Sequence, residues 1–518
     1  MLSLEDVVRC IAMKPPPSLL FCVHALSIMS VLTSDARADW RDSAGYSTLQ
    51  AELGSSMPDG TGIPVMLSEA TVSGFYLPQG TTGTVPYPGA GIFAGKTITP
   101  YSGASSTSSH AETVLGNLCG AGQSLAPGVS AVHAWLADDF ALTLLGNDPP
   151  PSFSGSVQNH SWAGTVGDSA LDIEIMRKLD LLVDRDGATI TTPLNNGGSM
   201  ASLLANAYHS ITVGVFSGNH PTSHSNLDGI GRMKPDIVVD QPYTSFAAPA
   251  VAGAAALLLD TIRPGFPDAD DPRVVKAILL AGATKQNLPG WHRTGPTRPY
   301  DEIFGAGELN VLNAYHILAA GRQSASDAAV RSHRGWDIAT TSGNARRYFF
   351  EVPQGRWANT FSAAITWHRH FSDGLSTMNL SDLNLRLVKA SDFVVGSTVD
   401  ECTSSADNVE HLFRRNLPPG QYALEVTSTA ADETFAIAWE AQLGSGPALT
   451  ISRSGDICTL GLSQLDPFKT YTIEASPNLS SWSAADTVRT ADTSASTTAT
   501  WSETAGGDLR FYRLVWAP

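Results

Sequence analysis

Along residues 56–322, short apolar runs of β-forming residues alternate with stretches in which apolar positions recur every three or four residues. A strand buried on both faces reads as a continuous apolar run, whereas a helix laid over it shows a single apolar stripe. The runs at 63–68, 156–161, 188–194, 210–216 and 236–239 therefore predict strands. Between them, 170–184 puts Ile173, Met176, Leu179 and Val183 on one helical face, and Asp271-Pro272 supplies an N-cap and a first-turn proline for a helix over 273–284. A last helix over 308–320 stops at Gly321. This alternation predicts an α/β domain: a doubly wound, mostly parallel sheet covered on both faces.

Past a polar seam at 322–333 the period changes to two. The runs RRYFFEV, SAAITWHRH, LNLRLVKA, GQYALEVTS and TFAIAWEA predict an antiparallel all-β sandwich over 334–445. A Gly-Ser-Gly-Pro turn at 444–447 then opens a small all-β module, 446–518, containing YTIEAS and ending in RFYRLVW.

Composition narrows the functional classes. With 42% hydrophobic and 16% charged residues among 518, the chain is too apolar for disorder to be its main state. A net charge of -17 and the lack of a basic stripe argue against nucleic acid as a partner. Near the start, the apolar run 18–32 is followed by Ala36-Arg37-Ala38, the small-x-small form accepted at a signal cleavage site. Residues 1–38 are thus expected to be a signal peptide, with a retained anchor as the alternative and Met13 as an alternative start. Secreted or periplasmic export follows, and the short segment 39–55 leaves no room for a folded inhibitory propeptide ahead of the α/β domain. Cys10 and Cys22 would leave with the signal. The remaining Cys119, Cys402 and Cys458 form neither a disulfide framework nor a zinc pattern, and Cys119 reads as a small buried hydrophobe.

The chemistry centres on residues 243–256, Y-T-S-F-A-A-P-A-V-A-G-A-A-A. Ser245 opens a helix of small residues that packs hard against a sheet and holds the hydroxyl at the positive helix end. An N-cap serine is the plain alternative. The run resembles the nucleophile segment of the subtilisin-like serine proteases, G-T-S-x-A-x-P followed by V-A-G, with Tyr243 in place of the leading glycine. This resemblance implies a base, and His110 with Val114 matches the family's H-G-T-x-V, although Ala111 and Glu112 depart from it. The family's acid is an Asp ending the first strand; here that strand ends in Glu69, with Asp59 as the competing choice. Asn196, with Asn195 as the fallback, matches the oxyanion-donor asparagine after a strand. Ser161, Trp162 and Gly164 match the substrate-lining strand and glycine turn, and 231–238 and 305–310 match flanking segments of the family.

The resemblance covers about 55–322 and implies a serine endopeptidase acting by acyl transfer on protein or peptide substrates, as a monomer with no membrane span in the mature chain. A non-catalytic exported binding protein on the same scaffold is the competing reading, motivated by Glu69, Ala111, Glu112 and Tyr243. No cofactor is required for the chemistry. Subtilisin-like folds frequently carry structural calcium, but the acidic run 268–271 lacks EF-hand spacing and no metal residues are assigned. Residues 407–412 and 416–426 resemble a pre-peptidase C-terminal or proprotein-convertase-like sandwich, in which His411 is expected on a solvated loop. The last module resembles fibronectin-like modules of exported bacterial proteins, with Trp482 and Tyr512 expected in core packing rather than on a binding surface.

Overall fold

The computed structural model describes residues 39–518 except 71–84, 102–105, 153–155, 199–200, 202, 223–226, 230, 263–265, 289, 372–374, 376–377, 455–456, 467–468, 491–497, 505–509 and 516–518. The expected signal peptide, with Cys10 and Cys22, lies outside the described residues.

Two short helices, α1 (Trp40–Ser43) and α2 (Tyr46–Leu53), precede β1 (Val65–Glu69). There follow β2 (Thr97–Pro100), α3 (Ser109–Cys119), β3 (Ala131–Leu136), β4 (Val157–His160), α4 (Ser169–Asp186), β5 (Thr189–Pro193), β6 (Ile211–Val215), β7 (Ile237–Val239), α5 (Thr244–Thr261), α6 (Pro272–Gly282) and α7 (Val311–Ala319). The seven strands form one sheet in the order β2-β3-β1-β4-β5-β6-β7, every pairing parallel. From β1 the chain runs out to β2, returns through β3 and crosses to β4 on the other side. β1 thus sits where the winding reverses, and a crevice opens at the carboxyl ends of strands there.

Two strands were not legible in the hydrophobic pattern. β2 is an edge strand with no fully buried residue, and β3 alternates, leaving His133 and Trp135 half-buried. Neither has the complete burial of β1, β5 or β6, which are buried along their whole length, polar residues such as Thr191 and Thr212 included.

Helix α5 is long and apolar enough to span a membrane, but 78% of that stretch is buried within the protein. Its small side chains explain the burial. A Cβ added at Gly253 would stand 2.7 Å from the carbonyl oxygen of Leu118, so glycine is what allows α3 and α5 to touch. Pro249 lies in the second turn of α5.

The antiparallel part contains β8 (Arg334–Ser342), β9 (Arg346–Val352), β10 (Trp357–Trp367), β11 (His370–Phe371), β12 (Met378–Asn379), β13 (Leu383–Ser391), β14 (Val394–Cys402), β15 (Val409–Leu417), β16 (Gly420–Ser428) and β17 (Ala431–Gly444). Sheets β15-β10-β17-β8 and β14-β13-β16-β9 enclose a core of Tyr348, Phe350, Phe361, Trp367 and Trp439. Strands β18 (Ala448–Ser454), β19 (Ile457–Ser463), β20 (Thr470–Ser476), β21 (Ser483–Arg489), β22 (Ala499–Thr504) and β23 (Phe511–Val515) make two three-stranded sheets. There Tyr512 packs against the core, whereas Trp482 is stacked under Arg513 at 4.4 Å instead of joining it.

The α/β part and the first sandwich share apolar ground. Trp336, Ala364, Val409, Ala436 and Ala438 belong to the same buried cluster as α5, α6 and α7, and the Trp336 indole N–H donates to the carbonyl of Leu318 at 3.2 Å. Arg369, its side chain 1% exposed, crosses the same boundary to pair with Asp180 of α4 at 2.7 Å and Asp228 at 2.6 Å. His411, expected on a solvated loop, is instead wholly buried in β15. Its neighbours Trp291, Tyr300 and Lys285 arrive from the distant 285–300 segment, so no local pattern announced the burial. Cys119, Cys402 and Cys458 are free and buried, and burial pushes the Cys119 thiol up to about 12.

Candidate active site

The carboxyl end of β1 carries Glu69, and the first turn of α3 carries His110. Ser108 caps α3, its hydroxyl accepting from the Ala111 N–H at 3.4 Å, and this fixes where the His110 side chain starts. His110 Nδ1 lies 2.5 Å from Glu69 Oε2. The Glu69 side chain is 1% exposed and that of His110 12%. Burial would lower the imidazole pKa, but the charge and hydrogen bond of Glu69 outweigh it and hold His110 above the ordinary histidine value. Burial raises the Glu69 carboxyl in turn, an effect that His110 opposes without cancelling. The second oxygen, Oε1, is buried without a hydrogen-bond partner among the described residues.

Asp59 is elsewhere. Its carboxylate accepts from the Thr61 N–H at 3.0 Å and the Thr61 hydroxyl at 2.6 Å, closing a turn beside Gly128. Of the two acids the sequence offered, the structure brings Glu69 to the imidazole.

Ser245 is the second residue of α5, half-buried, with its N–H among the unpaired donors of the helix start. The Phe246 ring stands 5.7 Å from the His110 ring, and the Asn117 side chain of α3 donates to the Phe246 carbonyl at 3.2 Å. These contacts bring the serine-bearing helix start against the histidine-bearing helix. The Ser245 hydroxyl makes no hydrogen bond to His110 among the described residues.

Asn196 follows β5 and is tied to the same helix start. Its Oδ1 accepts from the Thr244 N–H at 3.0 Å and lies 3.1 Å from Thr244 Oγ1, leaving Nδ2 uncommitted to described protein groups. Thr244 also donates to the Leu194 carbonyl at 2.6 Å. Sequence reasoning passed over Thr244, although it precedes the serine in the motif that flagged Ser245. Asn195, the fallback, accepts from the Asn196 N–H at 3.0 Å and so shapes the turn.

The three residues expected to line substrate have separate surroundings. The buried Ser161 hydroxyl donates to the Ser245 carbonyl at 2.8 Å and accepts from Asn159 at 2.8 Å. The Trp162 indole N–H donates to the Ser68 hydroxyl at 3.0 Å. Gly164 exchanges both backbone hydrogen bonds with Leu203, at 3.2 and 2.9 Å. Around the acidic run, Asp268 pairs with Arg322 at 2.7 Å, while Asp271 caps α6 and pairs with Arg273 at 2.7 Å. Among the described residues no three His, Cys, Asp or Glu side chains gather to hold a metal ion.

A parallel sheet that reverses its winding at β1, with polar side chains converging at the carboxyl end of that strand, defines a doubly wound α/β protein whose crevice is its functional face. More narrowly, an acid-imidazole pair there and a serine opening the helix that follows the last strand are the arrangement that the resemblance to the subtilisin-like proteases implies, here extended by antiparallel β modules. No family model matches the chain. Over 126 residues it is 32% identical to the membrane-bound transcription factor site-1 proteases of Mus musculus and Rattus norvegicus, a match covering 21% of this chain and 11% of each relative. Among solved structures it is similar to a protease from Pseudoalteromonas arctica (17% identity, 52% of this chain, 93% of that one, TM-score 0.33). It is also similar to a lanthipeptide protease (14% identity, 54% of this chain, 96% of that one, TM-score 0.36).

Proposed function

We propose that the protein is an exported serine endopeptidase that cleaves peptide bonds by acyl transfer. The observation that carries this reading is the 2.5 Å contact between His110 and Glu69, made at the winding reversal beside the helix that begins with Ser245. In this mechanism Ser245 attacks the peptide carbonyl, and His110 takes its proton and returns it to the leaving amine. Glu69 holds Nδ1–H so that Nε2 faces the serine, and it stabilises the imidazolium that forms. Asn196 Nδ2 and the Ser245 N–H receive the oxyanion, and the positive start of α5 favours the same charge. Glutamate suits the acid role because its longer arm reaches the imidazole from a strand end that is wholly buried.

Purified protein should label with a fluorophosphonate, and labelling should vanish in both Ser245→Ala and His110→Ala. Labelling that persists in Ser245→Ala would refute this assignment. One observation favours a second reading, a binding protein that keeps the scaffold without turnover: the Ser245 hydroxyl lacks a hydrogen bond to His110. Absence of both labelling and cleavage of an unfolded-protein substrate would select that reading.

A further inference from the structure

On the far side of the sandwich from its core, three adjacent strands present polar side chains in two registered rows. Arg415 of β15, Thr360 of β10 and Gln442 of β17 face one another in the first row; Phe413, Ser362 and Glu440 do so in the second. The 281–287 segment at the end of α6 roofs this platform and leaves a cavity of about 460 Å³ that all six side chains line. That volume lies within the range of small-molecule sites.

Part of the polar lining is engaged within the protein, the Thr360 hydroxyl donating to Gln442 Oε1 at 3.0 Å and the Ser362 hydroxyl lying 3.4 Å from His411 Nε2, and part of it is not. Arg415 donates no hydrogen bond and makes no ion pair among the described residues, although it is half-buried with its guanidinium 5.4 Å from the Phe413 ring. Asp466, the acid whose charge acts on it, is engaged by Asn416 at 2.7 Å and Lys469 at 3.2 Å. Asn359, also on the cavity wall, has a buried Oδ1 with no donor among the described residues. A guanidinium held partly out of water without an anion is costly, and in a chain of net charge -17 an unpaired cationic cavity stands out. The one acid on the platform, Glu440, is occupied by Arg334 at 3.5 Å and by Gln442 at 3.1 Å.

We propose that this cavity binds a polyhydroxy ligand carrying one oxyanion, an acidic sugar, with the oxyanion on Arg415, hydroxyls on Asn359, Thr360 and Ser362, and a sugar face against Phe413. Lys285, at the roof, donates to the Ala283 carbonyl at 2.9 Å and lies 3.2 Å from His411 Nε2. Burial drives its ammonium well below the ordinary lysine range, so Arg415 is the fixed charge that selects the anion.

The test is calorimetric titration of the full chain with galacturonate, glucose 6-phosphate and galactose. At least one anionic sugar should saturate the protein about tenfold or more tightly than galactose, the scale expected of one charge-assisted contact, and which one binds identifies the oxyanion. That binding should weaken by about tenfold or more in Arg415→Gln and measurably in Thr360→Val, each checked for a native melting transition. No saturation by either anionic sugar at millimolar concentration, equal binding of galactose, or undiminished binding in these folded variants would overturn the proposal and leave a water-filled seam.

Discussion

The hydroxyl of Ser161 donates to the backbone carbonyl of Ser245 at 2.8 Å. In an unbroken helix that carbonyl would accept from the N–H four residues on, but residue 249 is proline and has none. Ser161 therefore replaces a missing helical bond directly beneath the proposed nucleophile. Ser161→Ala should cost about 1–3 kcal/mol, the penalty for a buried acceptor left unpaired, and should slow fluorophosphonate labelling. Denaturant titration and labelling rate measure both effects, and a variant wild-type in each would show the bond to be idle.

Exchange of Glu69 separates orientation from mere packing. Glu69→Gln keeps the shape but removes the charge that stabilises the imidazolium, and the acylation rate should fall by about 10⁴-fold if Glu69 acts as a triad acid. Glu69→Asp keeps the charge but withdraws it from a 2.5 Å contact, so its rate should lie between wild type and Glu69→Gln. Equal rates in all three proteins would remove Glu69 from the mechanism.

The same pair sets the pH response. His110 acts as a base only when neutral, and its pKa is held above the ordinary 6.5. Labelling should therefore rise with pH through a midpoint above 6.5, since the protonated form dominates on the acid side. In Glu69→Gln the charge that raises the pKa is gone while burial remains, so the residual activity should titrate at lower pH. A midpoint that does not move between the two proteins would contradict the coupling.

Gly253→Ala tests how the two halves of the site are held together. The added methyl would meet the Leu118 carbonyl at 2.7 Å, closer than such contacts allow, so α3 and α5 must separate. We expect a loss of about 1–3 kcal/mol with a disproportionate fall in labelling, because His110 and Ser245 ride on the two displaced helices. Stability falling while labelling stays intact would show that the site tolerates the shift.

Much of this was legible in the chain. Strands such as 189–193 and 211–215 announce themselves as short runs rich in β-branched residues, α4 by its apolar stripe, and α6 by its stripe and its Asp271 cap. β2 and β3 were not, because an edge strand and a half-exposed one carry weaker alternation. Glu69 could be placed at a strand end, but only the fold shows that the other acid, Asp59, spends its carboxylate on Thr61. His411 illustrates the opposite difficulty: a polar residue buried by partners more than a hundred positions away leaves no periodic trace.

Arg369 makes the link between the α/β part and the sandwich electrostatic as well as apolar. Arg369→Ala would leave Asp180, itself wholly buried, with one fewer cation, and should destabilise the protein by about 3–5 kcal/mol. Thermal unfolding measures this, and a shift near zero would show that the backbone N–H groups of Tyr208 and His209, which also reach Asp180 at 3.1 and 2.8 Å, suffice alone.

The indole of Trp336, lodged among the helices that support the crevice, has a consequence for how the molecule comes apart. A nick in the connecting stretch near residue 325 would not free two halves, since each would expose the apolar residues it now lends to the other. The appended strands thus behave as the missing wall of the α/β half, and a gene trimmed to the α/β segment alone should yield aggregate in place of a smaller folded protein.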